Sequence, residues 1–143
     1  MRLQRPTAFR LVLIELIFVL VLLVACGSDH KVIEASDLAA SYDKDPRTAE
    51  SKYSGRRVTL RGIAFRTSVA RDTRQLLLLK GSKQTNVVCV APKGSSYENA
   101  FGSLGPIDEE GKNVTVEGRV TDLILAGPNA LIIEDCTVIQ VQG

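Results

Sequence analysis

The chain has 143 residues and a formal net charge of +2, from 18 Lys and Arg against 16 Asp and Glu, with one histidine, three cysteines and no tryptophan. That length admits one ordinary domain, and a single histidine excludes histidine-based triads and multi-histidine metal sites. The small basic excess lies wholly in residues 1–25, which hold Arg2, Arg5, Arg10 and Glu15; the other 118 residues carry 15 charges of each sign, so a neutral remainder exerts no general pull on a polyanion.

Leu11 to Ala25 is apolar apart from Glu15, follows the three arginines and ends in Leu23-Val24-Ala25-Cys26. A positive start, an apolar stretch of roughly 7 to 15 residues and small residues near the cut make a secretory signal. The last four residues resemble the lipobox of bacterial lipoproteins. That resemblance implies a diacylglycerol on the Cys26 thiol, cleavage before it and acylation of the new amino group. Residues 1–25 are thus expected to be a signal peptide, 26–35 a tether and 36–143 the folded domain. An uncleaved anchor is the alternative, but the run has 15 residues where a span takes about 20. The expected location is the bacterial cell envelope, lipid-anchored to a membrane and facing the periplasm or the exterior, since more than one acyl chain anchors stably. Gly27 carries no aspartate retention signal.

Ser36 is placed to cap a helix with Asp37 in its first turn and Leu38 and Tyr42 on one face. Pro46 suits the start of a second helical piece through Tyr53, and Gly55 its end. Val58 to Phe65 then alternates with period two, Gln75 to Lys80 forms a second strand with four leucines whose inner face periodicity cannot choose, and Val87 to Val90 forms a third. Ser95 to Leu104 carries Tyr97, Ala100, Phe101 and Leu104 at helical spacing. Val114 to Thr121 alternates again, Gly127-Pro128-Asn129 turns the chain, and a last strand runs from Ala130 to about Val141.

Three strands, a helix and two strands is the order of the OB-fold, a five-stranded Greek-key barrel. The expected fold is therefore mostly β: a five-stranded OB-fold barrel with an N-terminal helix and a helix between strands 3 and 4. Particular residues narrow this. Tyr53-Ser54-Gly55-Arg56-Arg57-Val58-Thr59-Leu60-Arg61-Gly62, the Val-Val-Cys-Val strand and Glu134-Asp135-Cys136-Thr137-Val138 resemble the tRNA_anti-like family of OB-fold modules, frequent in bacterial envelope proteins. The resemblance implies descent from anticodon-binding modules and little about present activity. Gly62 and Gly118 are expected to let paired strands bend, and Tyr53 to pack with Leu38.

In the OB order the third and fifth strands are neighbours, so Cys89 and Cys136 are expected to bond in a compartment where disulfides persist; two buried reduced thiols are the alternative. Nothing here offers a Cys-x-x-Cys pair or a phosphate-cradling glycine loop. His30 lies in the tether. The expectation is a non-enzymatic chain without cofactor or metal.

Eight basic residues lie between Arg56 and Lys83 against Asp72, and eight acidic ones between Glu98 and Asp135 against Lys112 and Arg119. Such blocks can pair across a sheet or form opposed patches. The leading functional expectation is a membrane-anchored binding module for an envelope protein or small ligand, using the face of the second and third strands and the loops beside them. Candidate ligand contacts are Arg61, Phe65, Arg66, Arg71, Arg74 and Lys83. Single-stranded nucleic acid is an alternative that has the basic half of such a site but lacks its stacked aromatics. A structural role in envelope assembly is another.

Overall fold

The structure is a computed structural model that describes residues 31–121 and 129–142. The signal, Cys26, His30 and Asp122, with Gly127 and Pro128 of the expected turn, lie outside the described residues. The elements are β1 (Val32–Glu34), α1 (Ala35–Lys44), α2 (Pro46–Tyr53), β2 (Arg57–Val69), β3 (Gln75–Leu79), β4 (Asn86–Val90), α3 (Tyr97–Phe101) extended by a 3₁₀ turn (Gly102–Leu104), β5 (Lys112–Val120) and β6 (Ala130–Gln142).

The fold is mostly β, as the sequence predicts, with six strands instead of five. β1 is the addition: it pairs parallel with β2, Val32 opposite Thr59 and Glu34 opposite Arg61, within a stretch read from sequence as tether. Three residues carry no periodicity, and this strand exists only because β2 offers its edge. The helix also begins two residues early, at Ala35 instead of Asp37. Glu34 occupies the N-cap with no side-chain bond, so Ser36 is not the cap. Ala35 is fully buried and sits so close to Gly62 that a Cβ there would meet its own Cβ at 2.9 Å. Gly62 thus makes room for the helix start.

α2 begins as expected, with Pro46 in its first turn and Asp45 as cap. The Asp45 carboxylate accepts from the Thr48 hydroxyl at 2.7 Å and the Thr48 N–H at 3.2 Å, and these bonds, the hydroxyl's first, hold its pKa below the ordinary carboxylate value. Gly55 (φ 70°) supplies the left-handed stop, its N–H donating to Val120 O at 2.8 Å. Tyr53 packs on the core beside Tyr42, ring centroids 6.5 Å apart.

β2 closes the sheet. Its first half pairs antiparallel with β5, Arg57 opposite Arg119 through Ala64 opposite Lys112; beyond a bulge between Ala64 and Arg66 the rest pairs with β3. A bulge bends and twists a strand, which lets one strand serve two neighbours. The ring then runs β2-β3-β4-β6-β5 and back to β2, an OB-like arrangement. The β5–β6 register shifts twice, between Thr115 and Val116 and again where Glu117 faces Thr137 and Arg119 faces Glu134, a bulge at which Gly118 stands against both Asp135 and Cys136. A Cβ on Gly118 would lie 2.5 Å from Ile133 Cγ2 and 2.9 Å from Glu134 O. Gly62 faces Val114 and Gly118 faces Val58, so each glycine serves a separate close approach.

Leu38, Leu60, Leu77, Leu79, Phe101 and Ile133 fill the ring's interior. Ser96 caps α3, its Oγ accepting from Asn99 N–H at 3.3 Å. Ala100, Phe101 and Leu104 of the expected stripe are buried, with Tyr97 edge-on to Phe101 at 6.0 Å. Cys89 and Cys136 are bonded, Cα atoms 5.4 Å apart and both fully buried.

Candidate binding groove

The inward cysteine on β4 fixes the parity of its neighbours. With Val87 and Cys89 inside, Val88 faces out, and register carries that assignment across the sheet: Leu78 pairs with Val88, Leu76 with Val90, and Val88 with Ile132 of β6. Leu77 and Leu79 are buried while Leu76 and Leu78 are half-buried, which resolves the four-leucine run. The outward row forms the wall of a groove of about 470 Å³, lined by Leu76, Val88, Val90 and Ile132 with a polar rim of Arg71, Asp72, Arg74 and Glu134. That volume lies within the range for small-molecule or peptide side-chain sites, which are mostly apolar with a few polar groups.

The rim is built by the β2–β3 hairpin. Ala70 N–H donates to Arg74 O at 2.8 Å and Thr73 N–H to Ala70 O at 2.9 Å, with Thr73 in the left-handed region (φ 68°). Arg74 Nε donates to Asp72 Oδ2 at 2.6 Å and Arg74 lies 3.6 Å from Glu134 across the groove. The hydrogen bond from Arg74 is the main cause that lowers the Asp72 pKa, and the same bond raises that of Arg74. A carboxylate held ionised against a guanidinium is suited to shaping a binding site and poorly placed to move a proton.

Of the six residues predicted as ligand contacts, Arg71 and Arg74 reach this rim. Arg66 is exposed on β2 opposite Leu78. Phe65 lies half-buried at the β2 bulge. Arg61 instead bonds Glu34 of β1, its Nε donating at 2.7 Å, and Lys83 is exposed in the β3–β4 turn. Sequence reasoning missed Val88, Val90, Ile132 and Glu134; the signal for the first two was the expected disulfide, which forces Cys89 inward and its neighbours out. The charge blocks pair in part across the ring, Arg57 with Glu117 at 2.5 Å and Arg74 with Glu134, alongside Arg119 with Asp135. Among the described residues Arg66, Arg71 and Lys83 make no ion pair, no group of His, Cys, Asp and Glu is arranged to hold a metal, and no helix is long and apolar enough to cross a membrane.

A sequence model of the tRNA_anti-like family matches residues 7–136. Among solved structures, a Klebsiella pneumoniae protein described as a "putative nucleic acid-binding lipoprotein" superposes with TM-score 0.59 at 13% identity, over 79% of this chain and 94% of its own. A Leishmania major protein described as a "putative aspartyl-tRNA synthetase" gives TM-score 0.47 at 14% identity, over 80% of this chain and 22% of its own. No curated protein matches. At these identities the first similarity bears on the fold alone.

Proposed function

We propose, for a chain that belongs to the tRNA_anti-like family, a non-catalytic binding role on the surface of a bacterial envelope membrane. Cys26 carries the acyl anchor, and Cys26 to the start of β1 links it to the OB-like domain. The domain binds an apolar side chain of an envelope protein, or a small amphiphile, in the groove between β3, β4 and β6. One observation carries this reading: the groove wall is aliphatic, and its central cation, Arg74, is already neutralised by Asp72 and Glu134. A site built for a phosphate backbone keeps its cations free and adds aromatic stacking platforms; this lining includes no aromatic residue.

A second reading, single-stranded nucleic acid, draws on Arg71 of the groove rim and on exposed Arg66 of β2, neither in an ion pair among the described residues, and on the description of the Klebsiella neighbour. An amide-resolved NMR titration of the chain from Lys31 onward separates the two. An apolar reporter dye is expected to shift Leu76, Val88, Val90 and Ile132, while an oligothymidylate leaves them unmoved at physiological salt. Oligonucleotide shifts at these same residues, weakening steeply with added salt as counterion release demands, would reverse the order of the two readings. Intact mass of the membrane-extracted full chain, beside Cys26→Ala, tests the anchor: residues 26–143 plus acyl chains supports it, and an unprocessed mass refutes it.

A further inference from the structure

At the N-terminal end of the described chain lies an open cleft of about 210 Å³ whose lining includes Lys31, Lys52, Tyr53, Arg56 and Arg57 and no acidic residue. Three segments contribute: the chain before β1, the last turn of α2, and the entry to β2. All four cations are exposed. Glu117 neutralises Arg57, but Lys31, Lys52 and Arg56 make no ion pair among the described residues; the Lys52 ammonium instead lies 4.9 Å from the Tyr53 ring centroid. At the other end of β5 the sign reverses. Arg119, near the C-terminal end of this strand, faces Arg57, while Asp108, Glu109 and Glu110 immediately precede its first residue, Lys112. At roughly 3.3 Å per residue these ends are on the order of 25 Å apart. With Arg57 and Arg119 paired to Glu117 and Asp135, the positive excess at one end of β5 comes from Lys31, Lys52 and Arg56, while at the other Asp108, Glu109 and Glu110 outnumber Lys112.

The cationic end is also where the chain leaves for Cys26. Lys31 follows Cys26 by five positions, a reach of at most about 18 Å when fully extended. We infer that this cleft docks on the anionic phosphate headgroups of the membrane that holds the anchor, with the Asp108–Glu110 end turned away from it. The inference rests on the reading of Cys26 as acylated. Each Lys or Arg near an anionic leaflet favours the bound state by roughly fivefold, so Lys31, Lys52 and Arg56 together suffice to bias the orientation of a domain already tethered. Repulsion of the acidic turn acts in the same direction.

The test uses the full acylated chain in phosphatidylcholine vesicles with and without phosphatidylglycerol, reading amine acetylation rates by peptide mass spectrometry. Lys31 and Lys52 are expected to react several-fold more slowly when phosphatidylglycerol is present, with Lys83 and Lys93 as unaffected references. The protection is expected to vanish at about 0.5 M salt, where screening lengths shrink to a few ångströms, and at Lys31 in a Lys52→Gln/Arg56→Gln variant whose unfolding midpoint is unchanged. Equal rates in both vesicles, in a sample whose Cys26 peptide is acylated, would overturn the docking surface and leave the anchor standing. An unmodified, uncleaved leader in the same spectra would overturn the anchor itself, and the docking geometry with it.

Discussion

The Cys89–Cys136 bond closes a 47-residue separation between β4 and β6. In the chain-entropy treatment a loop of that length stabilises the folded state by about 4 kcal/mol, by restricting the unfolded chain. Each cysteine also fills core volume, and truncating a buried sulfur to a methyl costs about 1 kcal/mol. Cys136→Ala or Cys89→Ala alone should then cost about 5 kcal/mol, because either substitution destroys the whole cross-link. The double variant should cost about 6 kcal/mol, leaving a coupling of about −4 kcal/mol in the cycle. For a domain of this size the single loss corresponds to a fall in Tm on the order of 20 °C. Urea unfolding of the four proteins, with intact mass to verify oxidation of the parent, measures the cycle. Two singles near 1 kcal/mol each that sum to the double would refute the cross-link and leave two independent buried thiols.

Gly118→Ala places a methyl group 2.5 Å from Ile133 and 2.9 Å from a backbone oxygen of β6; it should cost about 1–3 kcal/mol in urea unfolding, and a neutral result would mean the β6 bulge is not fixed. Phe101→Ala removes the largest fully buried side chain among the described residues and should cost about 3–5 kcal/mol, whereas Tyr97→Ala, at a half-buried position, should cost clearly less. The Asp45 pKa is depressed in the folded state, so its contribution is present above the unfolded carboxylate value and lost as pH falls through the folded one. Asp45→Ala should therefore lower the urea midpoint at neutral pH, with a deficit that shrinks as pH falls below the ordinary carboxylate range and through the depressed folded value; an equal deficit at both extremes would show that the carboxylate is not what caps α2.

The strands that alternate were readable because their apolar residues share the core face, Val58 and Leu60 in β2, Val114 and Val116 in β5, while the residues between them stay polar even where, as at Thr59 and Thr115, they are buried too. The α3 stripe was readable for the same reason at helical period. β1 was not, since three residues show no period and their pairing depends on β2, with each residue opposite one 27 positions later. The Ala35 helix start depends likewise on a distant glycine, and local capping chemistry at Ser36 gave way to packing against Gly62. In the groove, Arg71 and Arg74 were visible as cations in a loop beside two strands. Glu134 was not, because its approach to Arg74 follows from the β4–β6 parallel register and the bulge at Asp135, which neither segment announces alone. Arg61 looked available in one dimension and is engaged by Glu34 only once β1 is laid beside β2.

The position of the disulfide bears on how the groove would meet a ligand. Cys89 stands between Val88 and Val90, and Cys136 follows two residues after Glu134, so the cross-link ties together from behind the two strands that form one wall and part of the rim. A cavity held in this way is preorganised: its walls do not have to be ordered when a guest arrives, and the entropy otherwise lost at that moment has been removed in advance. Severing the bond would then weaken binding through a looser resting ensemble, even where every contact residue remains and the domain stays folded.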